Sequence, residues 1–477
     1  MRGISPTLQR RRVIRQTSGW VIATALAISI AVVAGVYLRA EYAAAPQIAV
    51  APAPGASAEV EAGAEQETTA APEVLPPVVT PTSALPSPSV VQGDEHFEPA
   101  APTSEPPTAI PPFTPPPDRS LHLSSRYGRH YDARSVGWDD VIDSGRSFPG
   151  VTARCARSWR NSGRDRRLNW DSARFLCMNS LSGGAYRPQG VGGSASTEDY
   201  FIGSQPASNR NIILTSWYSR AKEPGLFAPR RSGGSVTKLV VLDMDQRRYN
   251  SVELVRPNGS RTLRSLNSHG SGLVWVGQYL YASSHSELFM FNADDIMKIR
   301  GRYVLPAVAR WTVSGHGGLS SISLDRSTTP DRLRSINYTK SGRAYMQSFE
   351  LAADGSLAPN SRSTDHDLVL SNHFGQRGAK VHSVSSVVVP GGSYQGVAGA
   401  GAFGFANSSS LRINGRKNVD GVAVLKRGEV VERFRMPHGN GQSIYIDYRR
   451  GTYVSLTERD SQFLYELPLK SLTRHAR

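Results

Sequence analysis

The chain has 477 residues, a formal net charge of +16, 31 prolines and only two cysteines. That composition excludes a collagen-like repeat and a disulfide-dense miniprotein, and the length allows two or three average domains or one large all-β domain. The first 40 residues carry six arginines and no acid, and residues 41 to 118 carry 11 acids and no base, which leaves +21 on residues 119 to 477.

In chain order, residues 1–17 form a basic segment expected on the cytoplasmic side. Residues 18–38, SGWVIATALAISIAVVAGVYL, are uncharged and apolar or small, long enough to cross a bilayer as one helix. Arg2, Arg10, Arg11, Arg12 and Arg15 precede this segment. The positive-inside rule therefore keeps the N-terminus cytoplasmic and places the rest of the chain outside the cell membrane. The competing reading is a cleaved signal peptide with AAA at 43–45 as its site, against which stand the long apolar run and Pro46 directly after it. Residues 39–118 read as a disordered Pro/Ala-rich linker, because a segment with so few large apolar side chains cannot offset its ordering entropy.

Residues 119–195 contain Cys155 and Cys177, the only cysteines. An isolated pair beyond a membrane is expected as a disulfide, and no second CxxC or nearby His completes a tetrahedral metal site. From 196 to 472 the pattern has a period of two, with Gly, Pro, Asn and Asp punctuation and no long helical stripe. The strands group into units whose first strands are expected near 199, 272, 319, 384 and 443. Four antiparallel strands per unit, repeated five times, predict an all-β five-bladed β-propeller, or six blades if residues 120–195 form a degenerate one. The final unit is a strand short, and an N-terminal strand from the 120–190 region could complete it. Two packed β-sandwiches are the alternative.

Three phrases carry a family resemblance: HGSGLVWVGQYLYASSHSELFMFNADDI (269–296), LSSISLDRSTTPDRL (319–333) and YRRGTYVSLTE (448–458). They resemble secreted actinobacterial propeller-like proteins over roughly residues 195–470. The resemblance implies a secreted β-repeat domain and brings no established activity, so no site residue is carried over from it.

His269, His316, His382 and His438 each stand a few residues before an expected first strand. Loops into first strands open on a propeller's central channel, where four imidazoles could converge on a transition metal such as zinc or copper. The competing reading makes each a turn residue beside glycine, and no HExxH or other tight ligand spacing is present. Glu198 and Asp199, at the expected start of the first unit, could add carboxylates to the same mouth. Asp325, Arg326 and Asp331 flank a TTP turn, where aspartate mostly caps backbone. No G-x-S-x-G elbow and no EF-hand loop occur.

These features predict a membrane-anchored extracytoplasmic binding module for a wall polymer or an exported protein. The alternative is a metal-assisted lyase or hydrolase using the histidines. The basic ectodomain favours an anionic partner, while the absence of Lys/Arg runs interleaved with aromatics argues against nucleic acid.

Overall fold

The computed structural model describes residues 131–149, 151–181, 186–194, 210–219, 225–227, 236–258, 262–315, 317–340, 342–360, 367–374, 380–459 and 462–476. All belong to the compact unit Thr103–Arg477. The expected anchor and linker lie outside the described residues, among which no helix is long and apolar enough to cross a membrane.

The described chain is almost entirely antiparallel sheet. One meander comprises Tyr186–Gly193, Ile212–Ser219, Thr237–Asp243 and Arg248–Asn258. A second runs through Gly272–Val276, Tyr279–Ser284, Glu287–Asn292 and the later half of Arg302–Gly315. The third is Ser321–Asp325, Arg332–Ile336, Arg343–Glu350 and Ser385–Pro390, and the fourth Tyr394–Ala400, Phe403–Ile413, Arg416–Lys426 and Glu429–Arg435. The last consists of Gly441–Asp447, Thr452–Thr457 and Phe463–Pro468, completed at its outer edge by Arg174–Cys177. In that closing pair Cys177 lies opposite Phe463 and Arg174 opposite Glu466, so a strand from before the repeats joins the sheet at their end.

Strand periodicity explains why these sheets need one another. Along Ile212–Ser219, Ile212 and Leu214 face one apolar cluster while Ile213 and Trp217 face another. Likewise Leu273 and Trp275 point to one side, Val274 and Val276 to the other. A sheet apolar on both faces must be covered twice. Among the described residues five such clusters lie between successive meanders, the last between the final sheet and the first. The five leading strands touch in the order 186–193, 272–276, 321–325, 394–400, 441–447 and back to 186–193. Sheets arranged radially about an axis and joined through their faces are the architecture of a β-propeller.

Two departures mark the rim. The early half of Arg302–Gly315 pairs in parallel with the first meander, Tyr303 opposite Val252 through Pro306 opposite Val255, and its end is covered by Leu368–Phe374. This fuses the first two meanders into one larger sheet. Helix Ala153–Arg160, capped by the Thr152 hydroxyl accepting from Cys155 N at 3.2 Å, lies against the last meander. There Trp159 stacks on Phe175 with centroids 4.5 Å apart, and the Cys155–Cys177 disulfide joins this helix to the closing strand.

The leading strands differ from the sequence expectation at two places. The strand expected near 199 is instead Tyr186–Gly193, and residues 199–203 lie outside the described set. The strand expected near 384, Ser385–Pro390, is the outer edge of the third sheet, paired with Arg343–Ser348. Leu368–Leu370 pairs with Val313–Gly315 at the edge of the second.

Candidate functional site

Each leading strand, in places with the residue before it, carries the same three-residue pattern of polar, small and aliphatic: Gln189-Gly190-Val191, Ser271-Gly272-Leu273, Ser320-Ser321-Ile322, Gln395-Gly396-Val397 and Gln442-Ser443-Ile444. The aliphatic residues enter five different clusters, one between each pair of sheets. The small residues stand where leading strands crowd the axis. A methyl group on Gly190 would lie 2.7 Å from the Gly270 carbonyl oxygen, and one on Gly272 would strike the backbone nitrogen of Ile322. Ser321 and Ser443 belong to sheets that are not neighbours in the ring, yet their hydroxyls are 3.3 Å apart and both residues are fully buried. The axis is therefore pinched shut at this level. What remains is a polar floor at one mouth.

Irregular pairing brings three glutamines to that floor. Register shifts between Pro188 and Gly190, Tyr394 and Gly396, and Gly441 and Ile444 leave Gln189, Gln395 and Gln442 in bulges. The Gln442 amide donates both hydrogens, to Gln395 Oε1 at 2.8 Å and to Glu458 Oε2 at 3.2 Å. The other oxygen of Glu458 accepts from the Tyr218 hydroxyl at 2.9 Å. Glu458 is only 5 % exposed, and its carbonyl accepts from Arg187 and Gln462, each at 3.3 Å. Tyr218 in turn carries the exposed His269 ring stacked on it, centroids 4.6 Å apart. On the same side Ser320 Oγ accepts from Tyr338 N at 2.6 Å and lies 3.5 Å from His285 Nδ1. Of these groups His269 and His285 are exposed and Gln395 is half-buried, while Gln442, Glu458, Tyr218 and Ser320 are buried. Such groups orient a polar ligand by hydrogen bonds.

The expected histidines divide. His269 is at this mouth. His438 is exposed, its backbone N–H donates to Ser162 O at 2.9 Å, and its Nδ1 lies 3.8 Å from Asp420 Oδ2. His382 sits on the short strand Lys380–His382, paired to Leu368–Phe374 away from any leading strand, with Nδ1 against Asp367 Oδ2. His316, Glu198 and Asp199 lie outside the described residues. Gly270, Gly317 and Gly439, which follow three of the histidines, have φ of +60°, +111° and +126°, left-handed backbone that favours glycine and marks these phrases as turns into the leading strands. Among the described residues no three His, Cys, Asp or Glu side chains gather to hold a metal.

At the other ends of the leading strands the carboxylates are engaged in structure. Asp325, fully buried, accepts from Ser327 N at 3.0 Å and from Arg334 Nε at 2.7 Å, while Asp331 pairs with Arg326 at 3.4 Å. Asp447 accepts from Arg450, which also reaches Glu466 at 3.2 Å.

No protein-family model matches the chain, and no curated protein matches it in sequence. Solved structures similar to it include Kuenenia stuttgartiensis hydrazine synthase, at 11% identity and TM-score 0.27, covering 56% of this chain and 73% of that one. Another is the Myceliophteria thermophila Cps50 (Swd1) β-propeller domain, at 9% identity and TM-score 0.24, covering 54% of this chain and 93% of that one. At such scores these likenesses carry no weight, and the strand pairing by itself defines the fold.

Proposed function

We propose that this chain is a binding module: a five-bladed β-propeller held outside the cell membrane by the 18–38 anchor and the Pro-rich tether, which recognises a wall polymer or an exported protein through the polar mouth. The observation that carries the reading is the polar-small-aliphatic pattern at all five leading strands. Gln395 and Gln442 of that pattern are linked by hydrogen bonds through Glu458 to Tyr218, on which His269 stacks. A floor of amides and hydroxyls, whose one carboxylate already accepts two hydrogen bonds, suits the hydroxyl and amide groups of a sugar or peptide chain. Incubating the full-length protein with purified cell wall and with exported proteins at low salt tests this. Retention that falls at least about tenfold in a His269→Ala/Gln395→Ala variant supports the mouth as the contact, since losing hydrogen bonds worth ~1.4 kcal/mol has that effect. Equal retention of variant and wild type, or none by either, refutes it.

A further inference from the structure

We propose that a cationic cleft on the outer rim of the first sheet binds an anionic polyhydroxylated polymer through its phosphate or carboxylate groups. The proposal deepens the binding reading above by naming a second contact and its charge. The cleft has a volume of about 710 Å³, the size of a site for a few sugar units. Its walls carry Arg146, Lys238, Lys298 and Arg302, with Glu253 as the only acid among its described lining residues.

Strand register assembles these cations from distant parts of the sequence. Arg146 lies opposite Tyr249, Lys238 opposite Glu253, and Lys298 opposite Tyr303, all on strands joined through Arg248–Asn258 and the parallel stretch of Arg302–Gly315. Glu253 is buried and its oxygens accept from Leu226 N at 3.0 and 3.1 Å and from the Ser265 hydroxyl, so both are engaged within the wall of the cleft. Arg146, Lys298 and Arg302 are exposed and form no ion pair among the described residues. Arg146, Lys298 and Arg302 line one cleft, and a bound anion would be attracted by all three. Lys238 Nζ is held 3.4 Å from the Tyr186 ring centroid, and the Tyr303 hydroxyl is fixed by Ser144 and the Asp140 carbonyl, so the walls are positioned before a ligand arrives.

The test measures binding of the full-length chain to immobilised poly(glycerol phosphate), polygalacturonate, neutral dextran and duplex DNA. A Lys298→Gln/Arg302→Gln variant is compared with an Arg343→Gln/Arg416→Gln variant, which removes equal charge from exposed sites outside the cleft. The expected result is binding to one or both anionic polymers and not to dextran, weakened roughly 20-fold between 50 and 200 mM salt if three cations engage. The cleft variant should bind at least tenfold more weakly and the control variant within twofold of wild type. Preference for poly(glycerol phosphate) identifies phosphate as the group read, and preference for polygalacturonate identifies carboxylate. Absence of binding, stronger binding to DNA, or equal losses in the two variants overturns the proposal. Because the cleft variant leaves His269 and Gln395 intact, loss at the cleft and loss at the mouth are separately readable.

Discussion

The Cys155→Ser/Cys177→Ser double substitution probes how the ring is held closed. The disulfide spans a separation of 22 residues, with its Cα atoms 6.3 Å apart, and ties helix Ala153–Arg160 to the closing strand. By chain entropy, releasing a loop of that length gives the unfolded state about 11 cal/mol/K, or about 3 kcal/mol at 25 °C. For a domain of about 350 residues the unfolding entropy near the midpoint is about 0.7 kcal/mol/K, so the melting temperature should fall about 5 °C. The fold should survive, because the strand retains its four paired positions on Phe463–Glu466 and the Trp159–Phe175 stack. Scanning calorimetry with far-ultraviolet circular dichroism reads both effects, and reducing the wild type should reproduce the variant. Melting of wild type and variant within about 1 °C of each other, or two titratable thiols in the unreduced protein, would refute the reasoning.

Two further substitutions test the interior. Gly272→Ala places a methyl group against the Ile322 backbone nitrogen, and since both residues belong to leading strands packed about the axis, neither backbone can withdraw. The cost should be about 1–3 kcal/mol in urea unfolding, and an alanine variant as stable as wild type would contradict the closed axis. Burial, with a smaller contribution from Asp294, pushes the carboxyl of Asp295 up to about 8. A raised carboxyl favours the protonated fold, so its stabilisation is full below pH 4 and is lost as pH rises toward 8. In that window the wild type should lose stability relative to Asp295→Asn at up to ~1.4 kcal/mol per pH unit, and parallel stability profiles for the two proteins would rule this out.

Much of the architecture is readable along the chain. The strand patterns GLVWV, SISLD and SIYID mark leading strands at Gly272, Ser321 and Gly441, close to the expected 272, 319 and 443, because Leu273 and Trp275, Ile322 and Leu324, and Ile444 and Ile446 each recur at a spacing of two and put one face into a core cluster. The cysteine pair likewise announces its disulfide. The strand Tyr186–Gly193, YRPQGVGG, is hidden by its own composition: a proline and three glycines read as loop, and they suit a strand only because other backbones press against it. Ser385–Pro390 misleads in the opposite sense. Its valines report a strand correctly, but β-propensity is local and does not say whether a strand lies at the axis or at the rim. The site follows the same division. Histidine before glycine marks the turns into the leading strands, which a left-handed backbone makes visible in sequence. The polar-small-aliphatic repeat beside them becomes a ring only when five segments, tens of residues apart, are brought to one axis. Glu458 and Tyr218 join it through contacts across 240 residues, and only the closed tertiary structure supplies them.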